Sequence, residues 1–203
     1  MEKKRIYRQS SRAEAAAKTR DNILEAFEQL LLAGWYDDIT LDAVAAEAGV
    51  TVPTVLRHFG NKEGLLAAAK DKFGEEIGNR RTVVRGDVDA AIRAVIHDYE
   101  EVGDLVMRFL AQEQRIPVIK SYNDFGRMEH RTWVQDSFSP YLEGLPDPER
   151  EWRTDGIVMS LDIYVWQVLR RERNRTPEDV HAFMKQLVSG FIQPPDSPVQ
   201  TGE

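Results

Sequence analysis

The sequence predicts an all-α protein with a small N-terminal helical domain and a larger C-terminal one. Apolar residues recur three and four positions apart in successive segments, which is the spacing of one helix face. Several segments open with a capping residue, such as Thr40, Asn61 or Thr176, and Gly34 follows the first long one. The alternation that indicates strands does not persist in any segment. Together these patterns favour helices throughout.

The composition is ordinary for a globular protein, with 42% hydrophobic and 30% charged residues. No apolar run approaches the ~20 residues that span a bilayer. The basic N-terminus lacks the apolar core of a signal peptide, so we expect no export. The absence of cysteine excludes disulfides and thiol catalysis, and it fits a cytoplasmic protein.

The net charge of −7 is unevenly distributed along the chain. Residues 1–20 contain seven basic and two acidic side chains, so the remaining chain is strongly acidic. Attraction to phosphate acts over about 8 Å at physiological salt, so local charge decides whether a segment binds nucleic acid. We expect residues 1–12 to form a basic, disordered arm, which either contacts DNA or is simply solvated.

The first predicted helix runs from Ala13 to Ala33. Its buried stripe consists of Ile23, Phe27, Leu30 and Leu31. Trp35, Tyr36 and Ile39 follow, and we expect them to fill the core beside the next helix.

Residues 40–59 have the pattern of two short helices joined by a tight turn. Thr40 is placed to cap the first helix and Thr51 the second. Gly49 stands where a left-handed residue would end the first helix, and the small side chain of Ala45 lets the two helices cross closely. This is the arrangement of a helix-turn-helix, although such pairs also occur in ordinary helical bundles.

The surrounding stretch, from Thr19 to Ala69, resembles the N-terminal domain of the tetracycline-repressor (TetR) family of transcriptional regulators. The features that match are the amphipathic first helix ending in Ala-Gly and aromatics, then Ile39-Thr40, Ala45 to Val50, Thr54, Arg57-His58-Phe59 and Asn61-Lys62-Glu63. They cover about a quarter of the chain, and the rest matches only in its helical layout. The resemblance implies a double-stranded DNA partner, a homodimer and a small organic effector.

Eight residues are predicted to contact DNA by their positions and by the resemblance: Thr40, Thr51, Val52, Pro53, Thr54, Arg57, His58 and Lys62. The first turn of the second helix meets base edges. There Val52 and Pro53 offer only apolar contact, as with a thymine methyl, whereas Thr54 can form hydrogen bonds. Arg57 and His58 lie one turn on and would reach phosphate or guanine.

Thr40 and Lys62 stand near helix N-termini, where backbone amides and the helix dipole favour a phosphate. Leu56 departs from the family pattern, which commonly has an aromatic residue there, often a phosphate-binding tyrosine. Leucine cannot make that hydrogen bond, so the contact is lost or is supplied by His58. We expect Phe59 to be a core residue.

The C-terminal helices are predicted from caps and from breaks at proline and glycine. They run from Asn61 to about Arg80, from Asp87 to Gln114 with a break at Gly103-Asp104, from Pro117 to Ser139-Pro140, from Glu149 to Arg171, and from Thr176 to Phe191. The predicted domains are therefore residues 13–66 for the helix-turn-helix and 67–192 for effector binding and dimerisation. Residues 193–203, which are rich in proline, are predicted to be a disordered tail.

The effector pocket implied by the resemblance would be lined by large side chains of these helices: Met107, Phe109, Tyr122, Phe125, Trp133, Met159, Asp162 and Trp166. Asp162 is the most informative, because a buried carboxylate needs an arginine or a cationic ligand as its partner. We therefore expect a cationic or amphipathic organic molecule. The alternative is that the aromatic residues are ordinary core.

The last two helices are predicted to pair across a two-fold axis into a four-helix bundle. The residues expected at this dimer interface are Ile157, Leu161, Tyr164, Val168, Val180, Phe183, Met184 and Leu187. The alternative is that these side chains only close the core of the single chain.

We expect no enzymatic activity, cofactor or metal site. The four histidines are far apart along the sequence, and glycine-rich phosphate loops, nucleophile elbows and zinc-protease signatures are missing. The favoured function is a homodimeric, ligand-responsive repressor that binds a palindromic operator. The alternative is a helical ligand-binding or adaptor protein that has lost DNA reading.

Overall fold

The computed structural model describes residues 2–192, with side chains described from residue 13 onward. The helices are α1 (Glu2–Ala33), α2 (Leu41–Glu47), α3 (Val52–Phe59), α4 (Lys62–Arg80), α5 (Val88–Gln112), α6 (Pro117–Ser137), α7 (Ser139–Leu142), α8 (Asp147–Ser160), α9 (Ile163–Trp166), a π-helical segment (Gln167–Glu172) and α10 (Pro177–Ile192). Residues 2–192 contain no strand, which confirms the all-α prediction. None of the described helices has the length and apolarity to cross a membrane.

The chain divides into two compact units. Unit 1 comprises the chain up to Glu76 together with Arg108–Lys120, and unit 2 comprises Ile77–Met107 together with the chain from Ser121 onward. The sequence prediction placed a single boundary between residues 66 and 67. It missed the return of residues 108–120 to unit 1, because helical periodicity shows which face of a helix is buried but not which partner covers that face.

Helix α1 begins at Glu2, whereas the sequence prediction placed a disordered arm over residues 1–12 and began the helix at Ala13. The stretch from residue 2 to residue 33 contains no glycine or proline, and Lys, Arg and Gln are good helix formers. Nothing in this stretch therefore ends a helix. The predicted tail, residues 193–203, lies outside the described residues.

The core of unit 1 forms around the middle of α1. Ile23, Phe27 and Leu31 are fully buried, as predicted, and Leu30 is half-buried. Among the three residues expected in the core after α1, Tyr36 and Ile39 are buried. Trp35 is 43% exposed, so its assignment to the core was wrong.

Helix α5 continues unbroken through Gly103, where a break was predicted. A Cβ atom on Gly103 would lie 2.6 Å from the indole ring of Trp166. The glycine therefore allows close packing of a buried tryptophan against the helix, and it does not end the helix.

The predicted continuous helix from Glu149 to Arg171 is interrupted. α8 ends at Ser160, and the carboxylate of Asp162 accepts a hydrogen bond from the backbone N–H of Tyr164 at 2.9 Å, which caps α9. Aspartate is among the preferred N-cap residues, so the signal was present in the sequence. Because the break changes the helical phase, residues on its two sides do not share one continuous helix face.

A buried ion-pair cluster holds the C-terminal end of α4 within unit 2. The carboxylate of Asp98 is buried and accepts hydrogen bonds from Arg80, at 2.6 Å, and from Arg81. The Arg81 guanidinium also lies 3.0 Å from Nδ1 of His130 and stacks over the Trp133 ring. Burial, and then the charge of Arg81, lowers the pKa of His130 to about 3, so this histidine is neutral at physiological pH.

Gly64 and Gly74, both in α4, provide a matched test of the packing between α3 and α4. A Cβ atom on Gly64 would lie 1.9 Å from the carbonyl oxygen of Phe59, whereas one on Gly74 would meet no atom within 4 Å. We expect Gly64→Ala to lower the free energy of unfolding by roughly 1–3 kcal/mol through overpacking.

Gly74→Ala should instead raise the free energy of unfolding by about 0.5–1 kcal/mol, because alanine is the better residue inside a helix. Urea unfolding of both variants measures the difference. Equal stability of the two variants would contradict the close approach of Gly64 to Phe59.

Candidate nucleic-acid interface

The turn between α2 and α3 is built as the sequence predicts. The Thr40 hydroxyl accepts a hydrogen bond from the backbone N–H of Ala43 at 3.1 Å and so caps α2. Gly49 has a φ of +65°, and the N–H of Val50 donates back to the carbonyl of Ala45 at 2.9 Å. This left-handed glycine closes α2 and reverses the chain toward α3.

Thr51 stands at the N-cap position of α3 with extended backbone angles, but its side chain does not cap the helix. Its hydroxyl oxygen instead lies 3.1 Å from that of Thr54, so the two hydroxyl groups pair with each other. Pro53 occupies the first turn, where a missing N–H costs nothing. Val55 is buried against α2 and α1, and this fixes which side of α3 faces outward.

All eight residues predicted to contact DNA lie in unit 1, on α3 and at the starts of α2 and α4. Thr40, Thr51, Pro53 and Arg57 are exposed, and the other four, Val52, Thr54, His58 and Lys62, are half-buried. Leu56 is 41% exposed, so the leucine at the family's aromatic position is an outward residue.

Phe59, which was predicted to be core, is half-buried, and the guanidinium of Arg20 lies 5.0 Å from the centre of its ring. This contact joins α1 to the end of α3. Gly60 follows with a φ of +77°, and its N–H donates to the carbonyl of Leu56 at 2.8 Å. The carboxamide oxygen of Asn61 accepts from the N–H of Gly64 at 2.8 Å, which confirms the predicted cap of α4.

Lys62 is more constrained than its sequence position suggested. Its ammonium donates to the carbonyl oxygen of Asp37 at 3.3 Å and lies 4.3 Å from the centre of the Tyr36 ring. Partial burial lowers the pKa of Lys62, while Asp37 and Asp38 oppose that shift. The lysine is therefore held against the loop that precedes α2.

Residues 108–115 hold this same loop, although they lie more than seventy positions after α1 and no sequence pattern predicted the contact. Phe109 packs edge-on against Tyr36, with ring centroids 6.5 Å apart, and Gln112 accepts a hydrogen bond from the N–H of Asp37. Only the burial of an amphipathic helix could be inferred from the periodicity of α5. The identity of the partner is a tertiary feature.

Comparison with known proteins agrees with this geometry. A family model described as bacterial regulatory proteins, tetR family, matches residues 23–69, which run from α1 into α4. The predicted resemblance to the TetR family is thus confirmed for this segment of the chain. The matched segment contains α2, α3 and all eight residues that were predicted to contact DNA, and it supports a role in transcriptional regulation.

The HTH-type transcriptional regulatory protein RaaS of Mycobacterium tuberculosis is 24% identical to this chain over 164 residues, which cover 77% of the chain and 73% of the relative. Two solved structures share the fold. A transcriptional regulator from Rhodococcus sp. Rha1 superposes with a TM-score of 0.67 at 18% identity, covering 86% of this chain and 96% of the other. A TetR-family regulator from Streptomyces coelicolor gives a TM-score of 0.62 at 18% identity, covering 90% and 92%.

The residues predicted to line an effector pocket are scattered. Phe109 belongs to unit 1, and Met159 is 70% exposed. The indole N–H of Trp166 donates to Glu100 at 2.7 Å, and that of Trp133 donates to the carbonyl of Arg81 at 2.8 Å. Both tryptophans are thus used within the fold, and Met107, Tyr122 and Phe125 are half-buried.

Asp162 is not the unpartnered buried carboxylate that would require a cation, because it caps α9. In unit 2 a groove of about 420 Å³ lies between α5 and the start of α10. It is lined by Arg93, Ile96, His97, Glu100, Pro177, Glu178 and His181, none of which was predicted. The cap follows from the break after Ser160, which the sequence prediction missed.

The predicted dimer residues fall into two groups. Four of them are fully buried within the chain itself, so they have no surface to offer a partner: Ile157, Leu161, Val180 and Met184. Tyr164, Val168 and Phe183 are exposed, and Leu187 is half-buried. The buried group lies on α8, at its C-cap residue Leu161, and on α10, and it closes the core of unit 2, which agrees with the alternative interpretation for these four residues.

Proposed function

We propose that this TetR-family regulator is a homodimeric, ligand-responsive repressor that reads a palindromic operator with α3. The observation that carries the proposal is the outward side of α3, which presents Thr51, Pro53, Leu56 and Arg57 from a helix-turn-helix matched by the family model. Family members bind DNA and act as dimers. In a symmetric pair, two copies of α3 would enter successive major grooves ~34 Å apart.

Phosphate contacts would position α3, and base contacts would give it specificity. Thr40 at the start of α2 and Lys62 at the start of α4 stand where helix dipoles favour an anion. Arg57 is exposed in the last turn of α3 and is the one arginine of that helix, which contains no lysine. A repressor would release its operator when the effector favours a conformation whose two α3 helices no longer match the groove spacing.

The DNA-binding part of the proposal is tested by Arg57→Ala. The purified protein is used to select a duplex from a random-sequence library, and the dissociation constant is then measured by fluorescence anisotropy at several salt concentrations. Arg57→Ala should weaken binding about tenfold, and it should reduce the salt slope by about one if the contact is to phosphate.

Arg173→Ala is the control, because Arg173 is exposed in unit 2, before α10. It should leave the dissociation constant and the salt slope unchanged. If the library yields no duplex that binds better than scrambled sequence, DNA reading is absent, and a helical ligand-binding or adaptor protein becomes the better description.

The chemistry of the first turn of α3 favours apolar base contacts. The hydroxyl groups of Thr51 and Thr54 pair with each other, and the two residues between them, Val52 and Pro53, have apolar side chains. Leu56 follows one turn on, with 41% of its surface exposed. The thymine C5-methyl is the apolar group of the major groove, so we propose that this surface reads thymine methyls.

Replacement of thymine by deoxyuridine removes only that methyl group. At a contacted position it should weaken binding about fourfold, since one buried methyl-sized group is worth ~0.8 kcal/mol. In the Leu56→Ala variant the effect should disappear at the positions that Leu56 touches. Specific binding that is insensitive to deoxyuridine throughout the selected duplex would exclude methyl reading and leave the DNA-binding function intact.

The homodimer is supported by an exposed apolar surface on unit 2. Trp152, Met159, Tyr164, Val168 and Phe183 are all exposed on α8 to α10. The Phe191 ring packs against Gly156, where a Cβ atom would lie 2.2 Å from it, so α8 and α10 are closely paired within the chain. Five large exposed apolar side chains on closely paired helices favour an interaction site on this part of unit 2.

Phe183→Glu tests the dimer, because a charge at the centre of an apolar interface lacks a partner on the symmetric copy. We expect sedimentation equilibrium to show a dimer for the wild type and a shift toward monomer of at least tenfold in the dimer dissociation constant for the variant. Met128→Glu is the control, since Met128 is similarly exposed in unit 2 but lies on α6. A dimer that is equally stable in both variants would place the interface elsewhere.

Ligand response requires an effector site, and the groove beside α5 and α10 is the site we propose for it. Its lining combines Arg93 and Glu178 with two histidines, His97 and His181. Glu100 at its edge is already bound by Arg170, at 2.7 Å. The exposed surface of the groove is nevertheless mostly apolar, so it suits a ligand with an apolar body and a hydrogen-bonding or charged group.

A further inference from the structure

We infer that Gln112 and Arg108 are positioning residues for DNA binding, which act on Lys62 through the loop of residues 34–39. The inference rests on the proposed DNA-binding function and adds to it two residues that contact no DNA themselves. All the residues that make these contacts belong to unit 1. The segment that carries Gln112 and Arg108 is the one that returns to this unit after residues 77–107.

Arg108 fixes the end of α1. Its Nε donates to the carbonyl of Gly34 at 3.0 Å, and its Nη2 donates to the carbonyls of Leu31 and Leu32 at 3.0 and 2.8 Å. The last carbonyls of a helix have no partner within the helix, and a guanidinium is a strong, charged donor to them. The loop that follows α1 therefore starts from a defined point.

Gln112 fixes the middle of the same loop. It is fully buried, and its Oε1 accepts a hydrogen bond from the backbone N–H of Asp37 at 3.3 Å. Its Nε2 donates to the carbonyl of Arg108 at 3.0 Å, which fixes the orientation of the carboxamide. One position earlier in the loop, Tyr36 is held edge-on by Phe109.

Lys62 depends on these two loop residues. Its ammonium donates to the carbonyl of Asp37, whose N–H is bound by Gln112, and it lies over the ring of Tyr36. An ammonium has three N–H donors, so two remain for a phosphate. A free lysine would lose about 2 kcal/mol of side-chain entropy on binding, and a lysine held beforehand loses less.

The contacts therefore form one connected series, which runs from α5 through the loop to the start of α4. Helix α4 follows α3 directly in the chain. Arg115 adds a second contact to Asp37, at 3.3 Å, but both side chains are exposed and such pairs contribute little. The buried Gln112 is the member whose loss would displace the Asp37 carbonyl. Movement of that carbonyl would take the Lys62 ammonium with it.

The test is a double-mutant cycle on the duplex selected with the wild-type protein. Gln112→Met keeps the length of the side chain but removes both hydrogen bonds. We expect it to weaken binding by about threefold to tenfold and to reduce the salt slope, as Lys62→Ala does. In the Lys62→Ala background, the same Gln112→Met change should alter the dissociation constant by less than about 1.5-fold. The free-energy effects of two residues that act through the same contact do not add.

Arg108→Lys provides a second variant that retains the charge, should Gln112→Met fold poorly, and it should show the same coupling to Lys62. Arg171→Met is the matched control, since Arg171 binds Asp104 and stacks on Trp166 within unit 2. It should neither weaken binding nor couple to Lys62. Thermal unfolding of each variant gives the folded fraction by which affinities are corrected.

A merely structural role predicts a different result. The fold-losses of DNA affinity caused by Gln112→Met and Lys62→Ala would then multiply in the double variant. The salt slope of Gln112→Met would also equal that of the wild type. Either finding overturns the inference. If Lys62→Ala binds the selected duplex like the wild type, the inference fails while DNA binding stands. If no duplex is selected at all, the proposed function fails and the inference falls with it.

Discussion

The outward side of α3 depends on one reversal of the chain at Gly49, where φ is +65°. A residue with a Cβ would be strained there. The return of the Val50 N–H to the Ala45 carbonyl fixes the angle at which α3 leaves α2, and the buried Val55 fixes its rotation. Once that rotation is set, Pro53 and Leu56 must face outward, because the buried stripe and the exposed stripe of a helix exclude each other.

Several cations of unit 2 are used in ion pairs within the fold: Arg80 and Arg81 with Asp98, Arg170 with Glu100, and Arg171 with Asp104. Arg57 in unit 1 is instead exposed in the last turn of α3. A net charge of −7 is therefore compatible with DNA binding, because phosphate responds to the cations within about one Debye length.

Local signals predicted local structure well. The caps at Thr40 and Asn61 and the left-handed Gly49 are confirmed, since each acts within a few residues of its own position. The failures concern partners distant in sequence. Gly103 serves the packing of Trp166, and the return of residues 108–120 to unit 1 has no periodic signature. The dimer prediction failed at Ile157 and Leu161 for the same reason, because both side chains are covered by the chain's own core. The effector prediction for Asp162 failed because its capping of α9 was missed.

In the proposed complex with DNA, affinity and sequence specificity would come from different parts of unit 1. A surface of hydrocarbon groups on α3 would discriminate thymine, but it would supply little of the electrostatic attraction that dominates DNA affinity. That attraction would come from the few cations near α3, so the placement of each would matter more than in a helix rich in arginine. Lys62 is already held on Asp37 and Tyr36 without DNA. Because Gln112 and Phe109 of α5 hold those two residues, the placement of Lys62 depends on a helix outside the helix-turn-helix.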